Sequence, residues 1–290
     1  MSNKLKNILL LFTSIIWGTA FTYQSIAGIY LKPFTFVFLR FFISAVFLFL
    51  IILLRKGLKL ESKYNKKDTI KGGIICGIVL FLGTSFQQIG LVGTSPGKAG
   101  FISALYIVFV PILAIFVGKM PEPKTWLAIA VAVLGLYFLC FDGNFSISYY
   151  DLVLIASAFI YAIHILAIDK YCKNTDLIRL NAMQFLVLCV LGFFASCVFE
   201  NFDVSGAKYC MFPILFSAIL SGGVAYYLQS VGQKDNNPTI ASLIMSLESV
   251  FSVVSSYIIL NSLLSMKEIL GCVLIFAAVL TVVIESKKRT

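Results

Sequence analysis

Ten apolar runs divide the chain, and each is long enough to cross a lipid bilayer as a helix. A helix needs roughly 20 apolar residues to span the hydrocarbon core. The runs lie at about residues 8–30, 34–54, 70–92, 98–118, 124–141, 149–169, 178–199, 211–232, 237–260 and 265–285. Only 12% of the 290 residues are charged, against roughly 25% in a soluble domain, so the apolar excess must face lipid. Because no run alternates with period 2, spanning strands are disfavoured. The sequence therefore predicts an all-α integral membrane protein with ten transmembrane helices.

The basic residues predict the orientation of these helices. With the N-terminus in the cytoplasm, 18 of the 23 Lys and Arg residues fall in inside loops and tails, four fall outside, and Arg40 lies within the second run. Since positive loops stay on the cytoplasmic side, we expect both termini in the cytoplasm of a multi-pass protein of the cell membrane. Topology thus accounts for the net charge of +10, and no nucleic-acid partner is expected. The basic loop at about residues 55–69 is interpreted as an anchor beside anionic lipid.

The first and second halves of the chain contain similar segments in the same order. The fourth and fifth runs, like the ninth and tenth, pair a helix rich in small residues with an apolar helix that contains a glycine, Gly135 or Gly271. We interpret residues 1–145 and 146–290 as two repeats of five helices each. Five is an odd number, so the second repeat is inverted relative to the first, an architecture found in many secondary transporters.

Four segments carry a resemblance to a known family. They are IIWGTAF (15–21), QQIGLVGTSPGKAGFISALYIVFVPIL (87–113), SLESVF (246–251) and GCVLIFAAVL (271–280). Together they resemble the EamA-type transporters of the drug/metabolite transporter superfamily over nearly the whole chain. The resemblance implies ten spans in a five-plus-five inverted repeat, with a central cavity built by spans 1, 3, 4, 6, 8 and 9. Ser249 stands where the family often has proline, and Asn261 where it often has an acidic residue.

Three ionisable residues inside the runs are the sharpest candidates for a functional site. Such side chains are costly in a membrane and generally face an interior cavity. Glu248 either carries a coupling proton, binds a cationic group, or only hydrogen-bonds a neighbouring helix. Arg40 either counters Glu248, binds a substrate carboxylate, or extends to the outer interface. His164, the only histidine, either relays a proton or packs as a hydrogen-bonding residue.

Uncharged polar and aromatic side chains complete the predicted site. Glutamines within the runs suit either substrate recognition or contacts between helices, and aromatic rings, including the neighbours Tyr226 and Tyr227, can stack on a ligand. The predicted substrate-binding residues are Trp17, Gln87, Gln88, Tyr106, Tyr161, His164, Tyr227 and Glu248, and the predicted coupling or gating residues are Glu248, Arg40 and Pro111. Pro111 is expected to kink the fourth run. Gly18 is expected to permit close helix approach.

The motifs that are absent from the sequence favour a carrier driven by gradients. The sequence contains no GxxxxGK[ST] phosphate loop and no HExxH motif, and its seven cysteines form no CxxC pair. We expect a transporter, not an enzyme, that needs no metal or cofactor and exports small metabolites such as amino acids by alternating access. Its expected partners are the substrate, the lipid bilayer and protons, and it is either a monomer or a homodimer. The alternatives are a non-transporting membrane subunit and a membrane enzyme acting on a lipid-linked substrate.

Overall fold

The computed structural model describes residues 1–60, 64–140, 147–173, 175–263 and 265–287. Within these residues the chain forms ten main helices, a short 3₁₀ helix at Ser205–Tyr209, and no strands. The helices are α1 (Asn3–Gly28), α2 (Pro33–Gly57), α3 (Lys66–Gly90), α4 (Pro96–Phe116), α5 (Pro123–Cys140), α6 (Tyr149–Tyr171), α7 (Leu177–Phe199), α8 (Met211–Gln233), α9 (Pro238–Leu260) and α10 (Met266–Lys287).

Eight helices in the described part of the chain, α1–α4 and α6–α9, are long and apolar enough to cross a membrane. The helix α5 contains a shorter apolar stretch, Pro123–Phe138. Each of the ten predicted runs corresponds to one helix of the structure, with ends that differ by a few residues. The predicted all-α membrane fold is therefore confirmed.

Local sequence signals explain where the helices begin. Proline is in the first turn of α2, α4 and α9, where its missing N–H costs no hydrogen bond. Ser95 and Asn237 cap α4 and α9 by accepting hydrogen bonds from backbone N–H groups. Ser148 and Asp151 form a reciprocal capping box at the start of α6.

The contacts between helices follow the same pattern when each helix of the first half, α1–α5, is replaced by its counterpart in the second half, α6–α10, and the reverse. Each of α2, α4 and α5 packs against its own counterpart, α7, α9 and α10. The pairs α1–α9 and α1–α8 correspond to α6–α4 and α6–α3, and α3–α7 corresponds to α8–α2. This pseudo-two-fold pattern is the one that an inverted repeat produces. The predicted boundary between the repeats, at residues 145 and 146, lies outside the described residues and stays a prediction.

The helices α4 and α9 are both interrupted near their middles, at equivalent places. The interruption falls at Ala104–Leu105 in α4 and at Ser246–Leu247 in α9, where i→i+3 hydrogen bonds replace part of the regular helical ladder. The sequence led us to expect a kink at Pro111, but Pro111 lies inside the second segment, Tyr106–Phe116. The tightened turn, rather than the proline, divides α4.

Two further features shape the centre of the bundle, a close contact between α1 and α9 and a π-helix in α8. Gly18 of α1 packs against α9 so closely that an added methyl group would lie 2.6 Å from the carbonyl oxygen of Glu248. In α8, residues Phe216–Ala225 form a π-helix. Segments of this kind are rare, and they often occur at functional sites.

Candidate functional site

A buried cavity lies at the centre of the bundle, between α1, α2, α3, α4, α6, α8 and α9. Its volume of about 30 Å³ leaves room for roughly two water molecules. The lining residues are Trp17, Phe21, Gln24, Arg40, Gln87, Tyr106, Tyr161, His164, Ile165, Ser221, Tyr226, Gln229 and Glu248. A cation, a carboxyl group, an imidazole and three phenol groups thus meet in one enclosed space.

Most of the residues that were predicted for the site lie in this cavity. Those in the lining are Trp17, Arg40, Gln87, Tyr106, Tyr161, His164 and Glu248. Three others do not line it, namely Gln88, Pro111 and Tyr227. Gln88 is buried, and its side-chain amide donates to the carbonyl oxygen of Gln24 at 3.2 Å. Tyr226 lines the cavity where Tyr227 was predicted.

Arg40 is fully surrounded and held by three hydrogen bonds. Its Nε donates to the carbonyl oxygen of Ser217 at 3.0 Å, its Nη1 to Gln24 Oε1 at 2.9 Å, and its Nη2 to Ser221 Oγ at 2.8 Å. Ser217 and Ser221 both belong to the π-helix of α8. A guanidinium group has five N–H donors, so two remain for a ligand.

Arg40 forms no ion pair with any residue in the described part of the chain. It lines the same cavity as Glu248, but no guanidinium nitrogen of Arg40 lies within 4.0 Å of a carboxyl oxygen of Glu248. The expectation that Arg40 directly counters Glu248 is therefore not met in this structure. The cavity therefore presents two separate ionisable groups, one basic and one acidic.

Glu248 begins the second segment of α9, directly after the interruption. Its side chain is buried, and no described residue forms a hydrogen bond of standard geometry with its carboxyl group. Tyr106 begins the second segment of α4 in the same way, and its hydroxyl group faces Glu248 without a hydrogen bond of that standard. The N-terminal end of a half-helix carries partial positive charge, which favours an anionic group at this position.

His164 is the first member of a buried hydrogen-bond chain. Its Nε2 lies 3.1 Å from Gln184 Oε1, Gln184 Nε2 lies 2.6 Å from Asn181 Oδ1, and Asn181 Nδ2 lies 2.7 Å from the Leu177 carbonyl oxygen. Asn181 Nδ2 also lies 3.0 Å from Ser230 Oγ. These side chains lie on α6, α7 and α8 and are fully buried.

The direction of this chain fixes the protonation of one nitrogen of His164. The Leu177 carbonyl oxygen can only accept, so the atom of Asn181 beside it must be the amide nitrogen. The Asn181 oxygen then accepts from the Gln184 nitrogen, which turns the Gln184 oxygen towards His164. Nε2 of His164 must therefore carry a proton, and in the neutral ring Nδ1 is the acceptor.

The remaining lining residues form two small networks. Trp17 Nε1 donates to the Ser221 carbonyl oxygen at 3.2 Å, and its ring packs against Tyr226 with centroids 4.9 Å apart. The Tyr161 hydroxyl donates to Gln87 Oε1 at 3.2 Å. By contrast, the Tyr106 hydroxyl and Gln229 Oε1 are buried and make no hydrogen bond of standard geometry with any described residue. Such atoms are those that a ligand would satisfy, because a buried polar group without a partner is costly.

Sequence reasoning did not single out Gln24, Ser221 or Phe21 as parts of the site. The side chains of Gln24 and Ser221 accept hydrogen bonds from Arg40. A buried arginine needs hydrogen-bond acceptors, so the sequence indicated that Arg40 would have polar neighbours. The sequence did not indicate which of its many polar side chains these would be.

Comparisons with known proteins identify the relatives of this chain. The family model described as the EamA-like transporter family matches residues 4–141 and again residues 148–284. A protein named "Uncharacterized transporter" from Archaeoglobus fulgidus is 30% identical over 271 residues, which are 93% of this chain and 82% of the relative. The "Uncharacterized transporter YoaV" of Bacillus subtilis is 24% identical over 90% of this chain and 91% of its own length.

A solved crystal structure has the same fold. It superposes with a TM-score of 0.78 over 99% of both chains, at 18% identity. At this identity the similarity concerns the fold alone.

Proposed function

This chain belongs to the EamA-like transporter family, and we propose that it exports small metabolites such as amino acids or related solutes by alternating access. A membrane transporter is the function that the family and the names of the relatives give. The substrate class, the direction and the mechanism are our proposal. So are the cell membrane as its location and the cytoplasm as the side of both termini.

The observation that carries the substrate class is the pair of separate ionisable groups, one basic and one acidic, in one buried cavity. Arg40 keeps two N–H donors free and can bind a carboxylate. Glu248 has no hydrogen-bonded protein partner of standard geometry among the described residues and can bind an ammonium group. An α-amino acid carries both groups. Trp17, Tyr106 and Tyr161 supply aromatic surface for its side chain.

Alternating access is supported by the two interrupted helices. Tyr106 and Glu248 are each the tenth residue after the opening proline of their helix, Pro96 or Pro238, and each begins a half-helix at the cavity. Broken helices in corresponding positions of two inverted halves commonly form the binding site of a secondary transporter. The small cavity volume, about 30 Å³, requires that the bundle opens before a metabolite enters.

Glu248 is also our candidate for proton coupling. A carboxyl group that faces a membrane-buried cavity can take up a proton from one side and release it to the other. His164 lies in the same cavity and has an acceptor nitrogen. Substrate and proton would then use the same small set of groups, which links their movements.

The experiment is transport in proteoliposomes that contain the purified protein. We would measure accumulation of radiolabelled amino acids against a concentration gradient, driven by an imposed pH gradient, and downhill exchange without one. We expect Glu248→Gln to lose accumulation and retain measurable exchange. Vesicles in which the protein has one orientation, identified by protease protection of its termini, give the direction.

The matched control is Asp235→Asn. Asp235 is an exposed carboxylate outside the cavity, in a left-handed backbone conformation (φ 55°) that asparagine also accepts. This variant should transport as the wild type does. Full pH-driven accumulation by Glu248→Gln would refute proton coupling through this residue. Absence of transport for all amino acids by the folded wild type, with transport of another solute class, would refute the substrate assignment.

A further inference from the structure

Two buried amide side chains lie between the central cavity and the end of the bundle that contains Asn3. Gln184 and Asn181 are the eighth and fifth residues of α7, about 10 and 6 Å along the helix from its start. That start is at the Asn3 end, because Asp176, the N-cap of α7, pairs at 3.0 Å with Arg55 in the last turn of α2. Both amide side chains are fully buried.

One hydrogen-bond chain leads from the cavity lining towards this end. His164 donates from Nε2 to Gln184 Oε1 at 3.1 Å, and Gln184 donates from Nε2 to Asn181 Oδ1 at 2.6 Å. Asn181 Nδ2 donates to the Leu177 carbonyl oxygen at 2.7 Å and to Ser230 Oγ at 3.0 Å. The hydrogen-bond chain ends there, on a backbone carbonyl and on a serine whose own hydroxyl donates to a backbone carbonyl of α8.

The amide groups make this hydrogen-bond chain a poor conductor of protons. A proton passes along such a chain when each member can accept a proton and release another, as carboxyl and imidazole groups do. An amide oxygen accepts hydrogen bonds and an amide nitrogen donates them, but the group does not exchange its protons in this way near neutral pH. Proton relays in transporters accordingly consist of Asp, Glu and His residues. The proton on His164 Nε2 therefore has no onward path through Gln184 and Asn181.

The carboxylates at the Asn3 end lie at the rim, outside the hydrogen-bond chain. Asp169, in the last turn of α6, pairs with Lys119, and Asp176 pairs with Arg55. The neighbouring buried position on α8 is again an amide, Gln233, whose Nε2 donates to a backbone carbonyl of α6 at 3.1 Å. Among the described residues, no carboxyl group joins the hydrogen-bond chain between the cavity and the rim.

The first half of the molecule has a cation at the matching place. Arg40 is the eighth residue of α2, as Gln184 is of α7, and it lies towards the opposite end of the bundle, where α2 begins. A fixed positive charge repels protons and other cations in membrane pores. Each end of the cavity thus has a buried group that opposes the passage of protons, an arginine at one end and an amide at the other.

We propose that Gln184 and Asn181 form a proton barrier, which closes the cavity to protons from the Asn3 end even when the cavity is open to the other side. The barrier deepens the proposed proton coupling and rests on it, because a carrier driven by a pH gradient loses that gradient if protons pass without substrate. The two amides determine which ions cross, and they do not bind the substrate.

The test is passive proton flux into proteoliposomes without substrate, measured with a pH-sensitive dye in the lumen while potassium and valinomycin hold the membrane potential at zero. Gln184→Glu with Asn181→Asp replaces both amides with carboxyl groups of nearly the same shape, which form a relay with His164. We expect this double variant to raise the flux several-fold over the wild type. Either substitution alone should leave the flux unchanged, because one amide still interrupts the hydrogen-bond chain.

Two control variants separate proton transfer from loosened packing. Gln184→Met with Asn181→Leu removes the same hydrogen bonds without adding a titratable group, and its flux should equal that of the wild type. Gln233→Glu adds a buried carboxyl group at the same end but outside the hydrogen-bond chain, and it should also stay tight. A folded double acidic variant with wild-type flux would refute the barrier, as would an equal rise in the Met and Leu variant.

A second pair of titratable residues covers the case in which the double acidic variant does not fold. Gln184→His with Asn181→Asp offers a relay of the same kind and should raise the flux likewise. The outcome is distinct from that of the transport experiment, since the flux is measured without substrate. Full pH-driven accumulation by Glu248→Gln would refute proton coupling through Glu248 and would leave the measured barrier in place.

Discussion

The two halves of the molecule share one architecture but contribute different ionisable groups to the cavity, a basic one from the first half and an acidic one from the second. The first half supplies Arg40, which three hydrogen bonds hold in place. The second half supplies Glu248, which has no hydrogen bond of standard geometry to any described residue. At the position equivalent to Glu248, the first half has the neutral Tyr106.

The two ionisable residues therefore differ in how firmly the protein holds them. Arg40 is bonded to other helices, whereas Glu248 is available to a ligand. Two of the three acceptors of Arg40 lie on α8, so the arginine ties the first half to the second. Glu248 contributes no comparable contact between the halves, and the fold provides for it only the start of a half-helix and the facing hydroxyl group of Tyr106. We infer that Arg40 holds the halves together with three of its donors and offers the other two to a substrate carboxylate, while Glu248 serves only the substrate and the proton.

The largest effect that tests this comparison is on stability at Arg40. Arg40→Gln would leave the Ser217 carbonyl oxygen, Gln24 and Ser221 without their charged donor, and hydrogen bonds to charged groups are worth about 1.5–3 kcal/mol each without being additive. We expect a loss of about 3 kcal/mol, measured by denaturation in mixed micelles. Glu248→Gln is the paired variant and should cost nothing measurable. If Glu248→Gln destabilised the protein as much as Arg40→Gln, the proposed division of roles would be wrong.

A second test concerns how closely α1 and α9 approach each other. Gly18→Ala would bring a methyl group against the Glu248 carbonyl oxygen and Phe251, and overpacking typically costs about 2 kcal/mol. The matching position in the second half is Ala162, which follows Tyr161 on α6 as Gly18 follows Trp17 on α1. Ala162 is buried and already carries the methyl group that Gly18 lacks. Ala162→Gly should cost about 1 kcal/mol through helix propensity. A harmless Gly18→Ala, measured by the same denaturation assay, would mean that α1 can move away from α9 at little cost.

A third and smaller effect is expected at the hydrogen-bond chain of the second half. His164→Leu leaves Gln184 Oε1 without a donor and should cost about 1 kcal/mol, whereas His164→Gln keeps a donor and should cost less. Because His164 is the only histidine, its ring can be observed directly by ¹⁵N NMR. One-bond coupling to a proton should appear at Nε2 and not at Nδ1 near neutral pH. The reverse pattern would contradict the deduced direction of the chain.

The smallest effect should be that of Tyr106→Phe on stability. The hydroxyl group faces Glu248 but makes no hydrogen bond of standard geometry with any described residue, so we expect its removal to change the stability by less than about 0.5 kcal/mol. Transport should nevertheless fall, because Tyr106 lines the cavity together with Glu248, where we propose that the substrate binds. Unchanged transport by the folded Tyr106→Phe protein would show that the hydroxyl group has no role in transport. Tyr106 and Glu248, which are at equivalent positions in the two halves, would then have entirely different functions.

The lining of the cavity could be predicted from the sequence only in part, and the differences between prediction and lining have a common cause. Gln87 and Tyr226 line the cavity, whereas their neighbours Gln88 and Tyr227 do not. Nearly every face of these helices is apolar, so periodicity does not reveal which face points inward. In α8 the π-helix also changes the angular spacing of its residues. The interruption of α4 was equally hidden, because Ala104 and Leu105 are ordinary helical residues and Pro111 gave the stronger local signal.

The sequence alone determined that the chain crosses a membrane about ten times as helices, because backbone polar groups in hydrocarbon must bond within their own segment. It also identified Glu248, Arg40 and His164, since ionisable groups are costly inside apolar runs. Only the tertiary structure decided which of them has partners. Arg40 obtains two of its acceptors from α8, which lies far away in the chain, and one from α1, whereas Glu248 makes no hydrogen bond of standard geometry with any described residue. Side-chain partners across helices depend on the packing of the whole bundle, which no single apolar run encodes.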